Sequence, residues 1–169
     1  MSRFVIIDGH AVLYRAYHAL PPMNSSDGRP TNAVYGFVSM LLRVMETLQP
    51  THLAVVFDRP GGTFRNELFK DYQAHRPKAD DEFISQIATV HEMLAAAGIA
   101  VFEMDGFEAD DVIGTIVQKL EVRSERLDTE VRNEKLEQEI IVVTGDRDLL
   151  QLATQHVKLY MPMKNLYQS

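Results

Sequence analysis

Cysteine is absent from all 169 residues of the chain. Disulfides, thiolate metal sites and thiol nucleophiles are therefore excluded together. Long hydrophobic runs are missing as well. The N-terminus, MSRFVIIDGH, holds one short apolar run that stops at Asp8, too short for a signal peptide or a membrane span. A cytoplasmic location away from any membrane is the expectation. Positive charge is in deficit, with 17 Lys and Arg against 24 Asp and Glu, a formal net charge of −7. A general nucleic-acid coat carries a basic surface, so this balance argues against one unless the acids are gathered in one place. Zinc-type spacing is also lacking, because the six histidines (10, 18, 52, 75, 91 and 156) are scattered.

What is present reads as one α/β domain spanning residues 1–169, with 46% hydrophobic and 24% charged residues. Short apolar runs alternate with longer helical patterns. FVII (4–7), LAVVF (53–57), IAVF (99–102), IIVV (140–143) and VKLY (157–160) read as buried strands. Residues 33–48 and 82–97 carry helical periods closed by Pro50 and Gly98, and a third helix begins in the stretch GFEADDVIGT (106–115). That alternation predicts a mostly parallel central sheet with helices on both faces. Two segments fit the pattern less well. Residues 119–139 hold seven acids and five bases and read as a solvated helical extension or a mobile loop. Residues 59–81 interleave five Lys or Arg with Phe64, Phe69 and Tyr72, as a surface loop or as a basic element that grips phosphates and stacks on bases.

The strands end in acids. FVII runs into Asp8, LAVVF into Asp58, and IIVVTG into Asp146 with Asp148 two residues on, while Glu108, Asp110 and Asp111 follow IAVF after a short loop. In an open parallel sheet, ligands bind outside the carboxyl ends of the strands, so all seven acids are expected at one edge. Spacing puts Glu108 and Asp111 on one helix face and Asp110 on another. Taken singly, each acid reads as a helix cap or a first-turn acid favoured by the helix dipole. Taken together, the repulsion among several close negative charges outweighs the roughly 0.3–1 kcal/mol each gains from a dipole, and the set points to cations. All-carboxylate oxygen ligands select Mg²⁺ or Mn²⁺, and this many acids suit two ions, the arrangement that hydrolyses phosphoesters. Seven acids at one site also leave the rest of a −7 chain nearly neutral.

VIIDGHAVLYRAYHALPP, AVYGF, THLAVVFD, TFRNELFKDYQAHRP, FEADDVIGT and VVTGDRDLLQL resemble, in order and spacing, the 5′–3′ exonuclease domain of bacterial DNA polymerase I, within the wider flap endonuclease family. The resemblance runs from about Arg3 to Met163. It implies a PIN-like (resolvase-like) fold and a 5′ nuclease that uses two divalent ions. The substrate it implies is DNA with a 5′ flap or 5′ end, or an RNA–DNA duplex, in replication and repair. By motif, Asp8, Asp58, Glu108, Asp110, Asp111, Asp146 and Asp148 resemble the family's metal-binding acids. Residues 59–81 look like its arch, with Arg65, Tyr72, Arg76 and Lys78 as candidate nucleic-acid contacts. Three departures stand out. Gln73 occupies a position where the family usually has a lysine, residues 119–139 are longer than the usual link, and the family's helix–hairpin–helix region is not in the chain. A PIN-like ribonuclease is one alternative. The other is a catalytically weak short form that binds nucleic acid or a partner polymerase.

Overall fold

The computed structural model describes residues 2–70, 72, 80–130 and 138–162, with backbone only for 124–130. Strands β1 (Ser2–Asp8), β2 (His52–Val56), β3 (Ala100–Phe102), β4 (Gln138–Val143) and β5 (Val157–Tyr160) form one five-stranded sheet in the order β3-β2-β1-β4-β5, parallel at every pairing. Ile6 lies between Ala54 of β2 and Val142 of β4, so β1 sits at the centre. The chain builds outward from β1 through β2 to β3, then returns to lay β4 on the other side of β1. The order therefore reverses between β1 and β4, and a crevice opens outside their carboxyl ends.

Successive side chains of a strand point to opposite faces, and the core divides accordingly. Val5, Ile7, Val55, Ile141 and Val143 pack under α1 (Gly9–Ala19), α2 (Asn32–Leu48) and α4 (Asp81–Ala96). Ile6, Val56, Ile140 and Val142 face the long helix α5 (Ala109–Glu130), whose Ile113 and Val117 are buried against them. The expected α/β architecture, with helices on both faces, is what the chain adopts. Its strands fall within two residues of the apolar runs. At the end of α4, Gly98 takes φ 67°, and the Ile99 N–H donates to the Leu94 carbonyl (3.0 Å), closing the helix as its glycine foretells. Among the described residues no helix is long and apolar enough to cross a membrane.

Other features are not visible in periodicity. Helix α1 starts directly at Gly9, where an added Cβ would lie 2.6 Å from the Phe57 ring, so only glycine allows this approach. A short helix, α3 (Phe64–Leu68), lies inside the 59–81 segment. The charged stretch 119–139 opens on the end of α5, which continues to Glu130, and closes on Gln138 and Glu139, which begin β4. Glu139 is buried at 9% exposure and accepts from Arg3 Nε of β1 and from Lys158 Nζ of β5, both at 2.6 Å. A third unexpected residue is Gln86 of α4, fully buried. Its Oε1 accepts from the Ala33 and Val34 N–H groups (2.8 and 3.2 Å), and its Nε2 donates to Asn32 Oδ1 (3.0 Å). Thr31 gives α2 no side-chain cap, so Gln86 caps that helix from across the core.

Candidate metal centre

The carboxyl edge of the sheet is assembled by hydrogen bonds between loops far apart in sequence. Asp8 ends β1 and caps α1, its Oδ1 accepting from the Ala11 N–H (3.0 Å). Its Oδ2 accepts from the Thr144 hydroxyl (2.7 Å), which ties β1 to the loop after β4 across the crevice. The same Thr144 oxygen accepts from the Asp146 N–H (2.9 Å), and Asp146 Oδ1 accepts from the Asp148 N–H (2.9 Å). Asp58, two residues beyond β2, accepts the Ala109 N–H at the start of α5 (2.8 Å). Capping and site-building are thus done by the same acids. Asp8 and Asp58 each use one oxygen on a helix N-terminus, which fixes where the other points.

Electrostatics identify which acids gather. Burial, reinforced by the Asp58 and Asp146 charges, pushes the Asp8 carboxyl up to about 6 despite its two hydrogen bonds. Burial also pushes Asp110 up to about 7, with repulsion from Asp8, Asp146, Asp58 and Glu108 added. Spacing had set Asp110 apart from Glu108 and Asp111, yet Asp110 is the residue that faces the group. Asp111 turns to a different neighbour. Its two oxygens accept from Arg65 Nη1 and Nη2 (2.6 and 2.8 Å), and this guanidinium holds its carboxyl below the usual carboxylate range. Glu108 lies between the two environments, its Oε2 accepting from the Tyr72 hydroxyl (3.3 Å) and 3.5 Å from Arg65 Nη1. Asp148 is exposed on the rim. Arg65 and Tyr72 thus meet the acids directly, whereas Arg76, Lys78 and Gln73 lie outside the described residues. Sequence reasoning missed Thr144, whose hydroxyl joins Asp8 to Asp146; a threonine in the TGDRD loop beside two acids was the available signal.

Among the described residues no three Asp, Glu or His side chains converge tightly enough to enclose a cation. The five acids Asp8, Asp58, Glu108, Asp110 and Asp146 share a field rather than a point. As a donor set they are oxygen throughout and offer hard, anionic ligands, and burial together with mutual repulsion raises the Asp8 and Asp110 carboxyls. Divalent ions of the Mg²⁺ class fit such a set. His10 Nδ1 lies 3.7 Å from Asp58 Oδ2.

The chain is 38% identical over 165 residues to a 5'-3' exonuclease of Aquifex aeolicus, covering 98% of this chain and 53% of that one. It is 40% identical over 165 residues to DNA polymerase I of Geobacillus stearothermophilus, covering 98% of this chain and 17% of the polymerase. The chain thus spans about half the length of the first relative and a small part of the second. In three dimensions it is similar to T5 5'-exonuclease with divalent zinc ions bound (TM-score 0.65, 19% identity, 94% of this chain and 55% of that one). It is equally similar to a T5 flap endonuclease in a pseudo-enzyme-product complex with DNA and metal ions (TM-score 0.65, 17% identity, 94% and 54%). Each likeness takes in nearly the whole chain. The model of the 5'-3' exonuclease N-terminal resolvase-like domain matches residues 3–169, and the chain belongs to that family.

Proposed function

We propose that this chain is the catalytic domain of a divalent-metal-dependent 5′ nuclease that hydrolyses DNA phosphodiesters at 5′ ends and 5′ flaps. One observation carries the reading. Five carboxylates from four separate stretches of chain line the switch-point edge, with Asp8 and Asp110 driven above the usual carboxylate range by burial and by repulsion from the neighbouring acids. Asp8, Asp58, Glu108, Asp110 and Asp146 would hold the ions, with Asp148 beside them. Two Mg²⁺ or Mn²⁺ ions would supply the charge that activates water and stabilises the leaving oxygen. The chain's own residues do the rest. Asp8 and Asp58 each cap a helix, α1 and α5, with one oxygen, which sets the direction of the other. Thr144 holds the Asp146 loop against Asp8. The names of the relatives and the T5 complexes support DNA as substrate and work beside a polymerase domain or chain.

The test is single-turnover cleavage of a 5′-flap DNA and of single-stranded RNA, with Mg²⁺, with Mn²⁺ and with a chelator. Metal-dependent cleavage of the flap, lowered by several orders of magnitude in Asp110→Asn, supports the reading. Equal cleavage with a chelator present, or a preference for the RNA, overturns it.

A further inference from the structure

We infer that Arg65 and Asp111 are positioning residues rather than a phosphate contact and a cation ligand: their ion pair braces α3 against the start of α5 and aims Glu108 into the site. The inference rests on the metal-dependent reading above and assigns two of its charged residues to a different task.

The geometry argues from three sides. Asp111 is already occupied. Oδ2 accepts from Arg65 Nη1 (2.6 Å) and from the Glu108 N–H (3.0 Å), and Oδ1 accepts from Arg65 Nη2 (2.8 Å). A carboxylate offers about four lone-pair positions, so three are taken, two of them by a guanidinium fork. The pair is also sheltered, with side-chain exposures of 28% and 23%, so water screens it less than a surface bridge. A cation would have to displace the fork to reach Asp111, while Asp110 next to it faces four other acids and has no such partner among the described residues. Finally, the pair belongs to a larger brace. The Phe64 N–H donates to the Gly106 carbonyl (3.0 Å), and the Asn66 side chain donates to the Tyr72 carbonyl (3.1 Å). Tyr72 in turn donates its hydroxyl to Glu108, whose Oε2 also lies 3.5 Å from Arg65 Nη1. Glu108 is thus held from its backbone by Asp111 and from its carboxylate by Tyr72 and Arg65. Its direction is set by α3, a helix 40 residues earlier in the chain, rather than by α5 alone.

The experiment compares Mn²⁺ affinity by calorimetry and single-turnover flap cleavage at saturating Mn²⁺. The variants are Asp110→Asn, the double variant Arg65→Gln with Asp111→Asn, and the reversed pair Arg65→Asp with Asp111→Arg. Both double variants keep the net charge, so a change in affinity reports ligands and their placement rather than overall attraction. Asp110→Asn is expected to weaken Mn²⁺ binding by about a hundredfold or more, and the neutral double variant by at most about tenfold. The neutral double variant should nevertheless cleave roughly tenfold to a hundredfold more slowly with Mn²⁺ saturating, since a misplaced carboxylate harms the rate beyond its effect on binding. The reversed pair should recover most of that loss. If the neutral double variant loses Mn²⁺ as severely as Asp110→Asn, Asp111 is a ligand and the inference fails. If it binds and cleaves like the native chain, the pair positions nothing and the inference fails. Should it not fold, as judged by circular dichroism, Asp111→Asn alone is read by the same two criteria, because asparagine keeps the shape and removes the carboxylate. Unchanged Mn²⁺ affinity in Asp110→Asn is a different result: it removes the metal-dependent reading itself, and this inference with it.

Discussion

Asp110 and Asp8 resist losing their protons in the metal-free fold, at about 7 and about 6 against an ordinary 3.8. A carboxyl that binds its proton more tightly when folded stabilises the fold fully below its unfolded pKa, and that contribution is lost as pH rises through the folded value. Metal-free stability should therefore fall between about pH 4 and pH 7. Asp111 and Glu139 are shifted downward and act in the opposite sense, but they are ionised in both states above about pH 5 and leave this window clear. Urea midpoints in chelator at pH 5, 6, 7 and 8 should decline, and millimolar Mn²⁺ should remove most of the decline by binding the ionised form. A flat profile would show that the acids do not sense one another. Asp110→Asn should raise metal-free stability at pH 8 by on the order of 1 kcal/mol, after allowing for solvent screening, and should abolish most of the Mn²⁺-induced rise in melting temperature. At this scale the sequence showed which residues are acidic and that strands deliver them. It could not show which acid faces which. Asp110 and Asp111 are adjacent and chemically identical, and only a guanidinium 46 positions away distinguishes them.

Between elements, two buried polar side chains carry loads that a helical or strand period does not reveal. Gln86 sits on the inner face of α4, where the amphipathic pattern would place an apolar residue, and it caps α2 instead. Gln86→Leu should lower stability by about 2 kcal/mol, because two N–H groups and the Asn32 carbonyl oxygen lose their partner in a dry interior. A chemical-denaturation midpoint that does not move would mean water replaces the amide. Glu139 acts on the opposite edge of the sheet, where it joins β1, β4 and β5 through Arg3 and Lys158. Glu139→Gln keeps the shape and removes the charge, and its loss should be about 1–2 kcal/mol, limited by the exposure of Lys158. Strands and the helices α2 and α4 were legible because their apolar spacing is local. Helix α1 was not, beyond Asp8 as its cap, since Gly9 and His10 open it and its buried stripe is short. The end of β4 was hidden for a related reason, because Gln138 and Glu139 read as the tail of a charged run until Arg3 is brought to them by β1.

Over the whole molecule, a net charge of −7 repels a polyanion, so any affinity for DNA must be local and cation-assisted. Binding of a flap substrate by the Asp58→Asn or native chain should be barely measurable in chelator. It should strengthen on adding Ca²⁺, a divalent ion chosen to test binding apart from cleavage, and weaken steeply with added monovalent salt. Fluorescence anisotropy on a labelled flap reads all three conditions. Equal affinity with and without the divalent ion would place the DNA contact away from the acids.

The reversal of strand order between β1 and β4 has a consequence during synthesis. Strand β1 leaves the ribosome well before its partner on one side, β4, which begins at Gln138, and Thr144 and Asp146 follow only after that. Until then β1 presents an open edge, Asp8 lacks the hydroxyl that steadies it, and the site has no second wall. A nascent chain halted before β4 consequently carries a central strand paired on one side only, and an open edge of that kind recruits other chains. Pairing of β4 with β1 closes that edge and carries the Thr144–Asp146 loop to Asp8, so one event both covers the central strand and completes the row of acids.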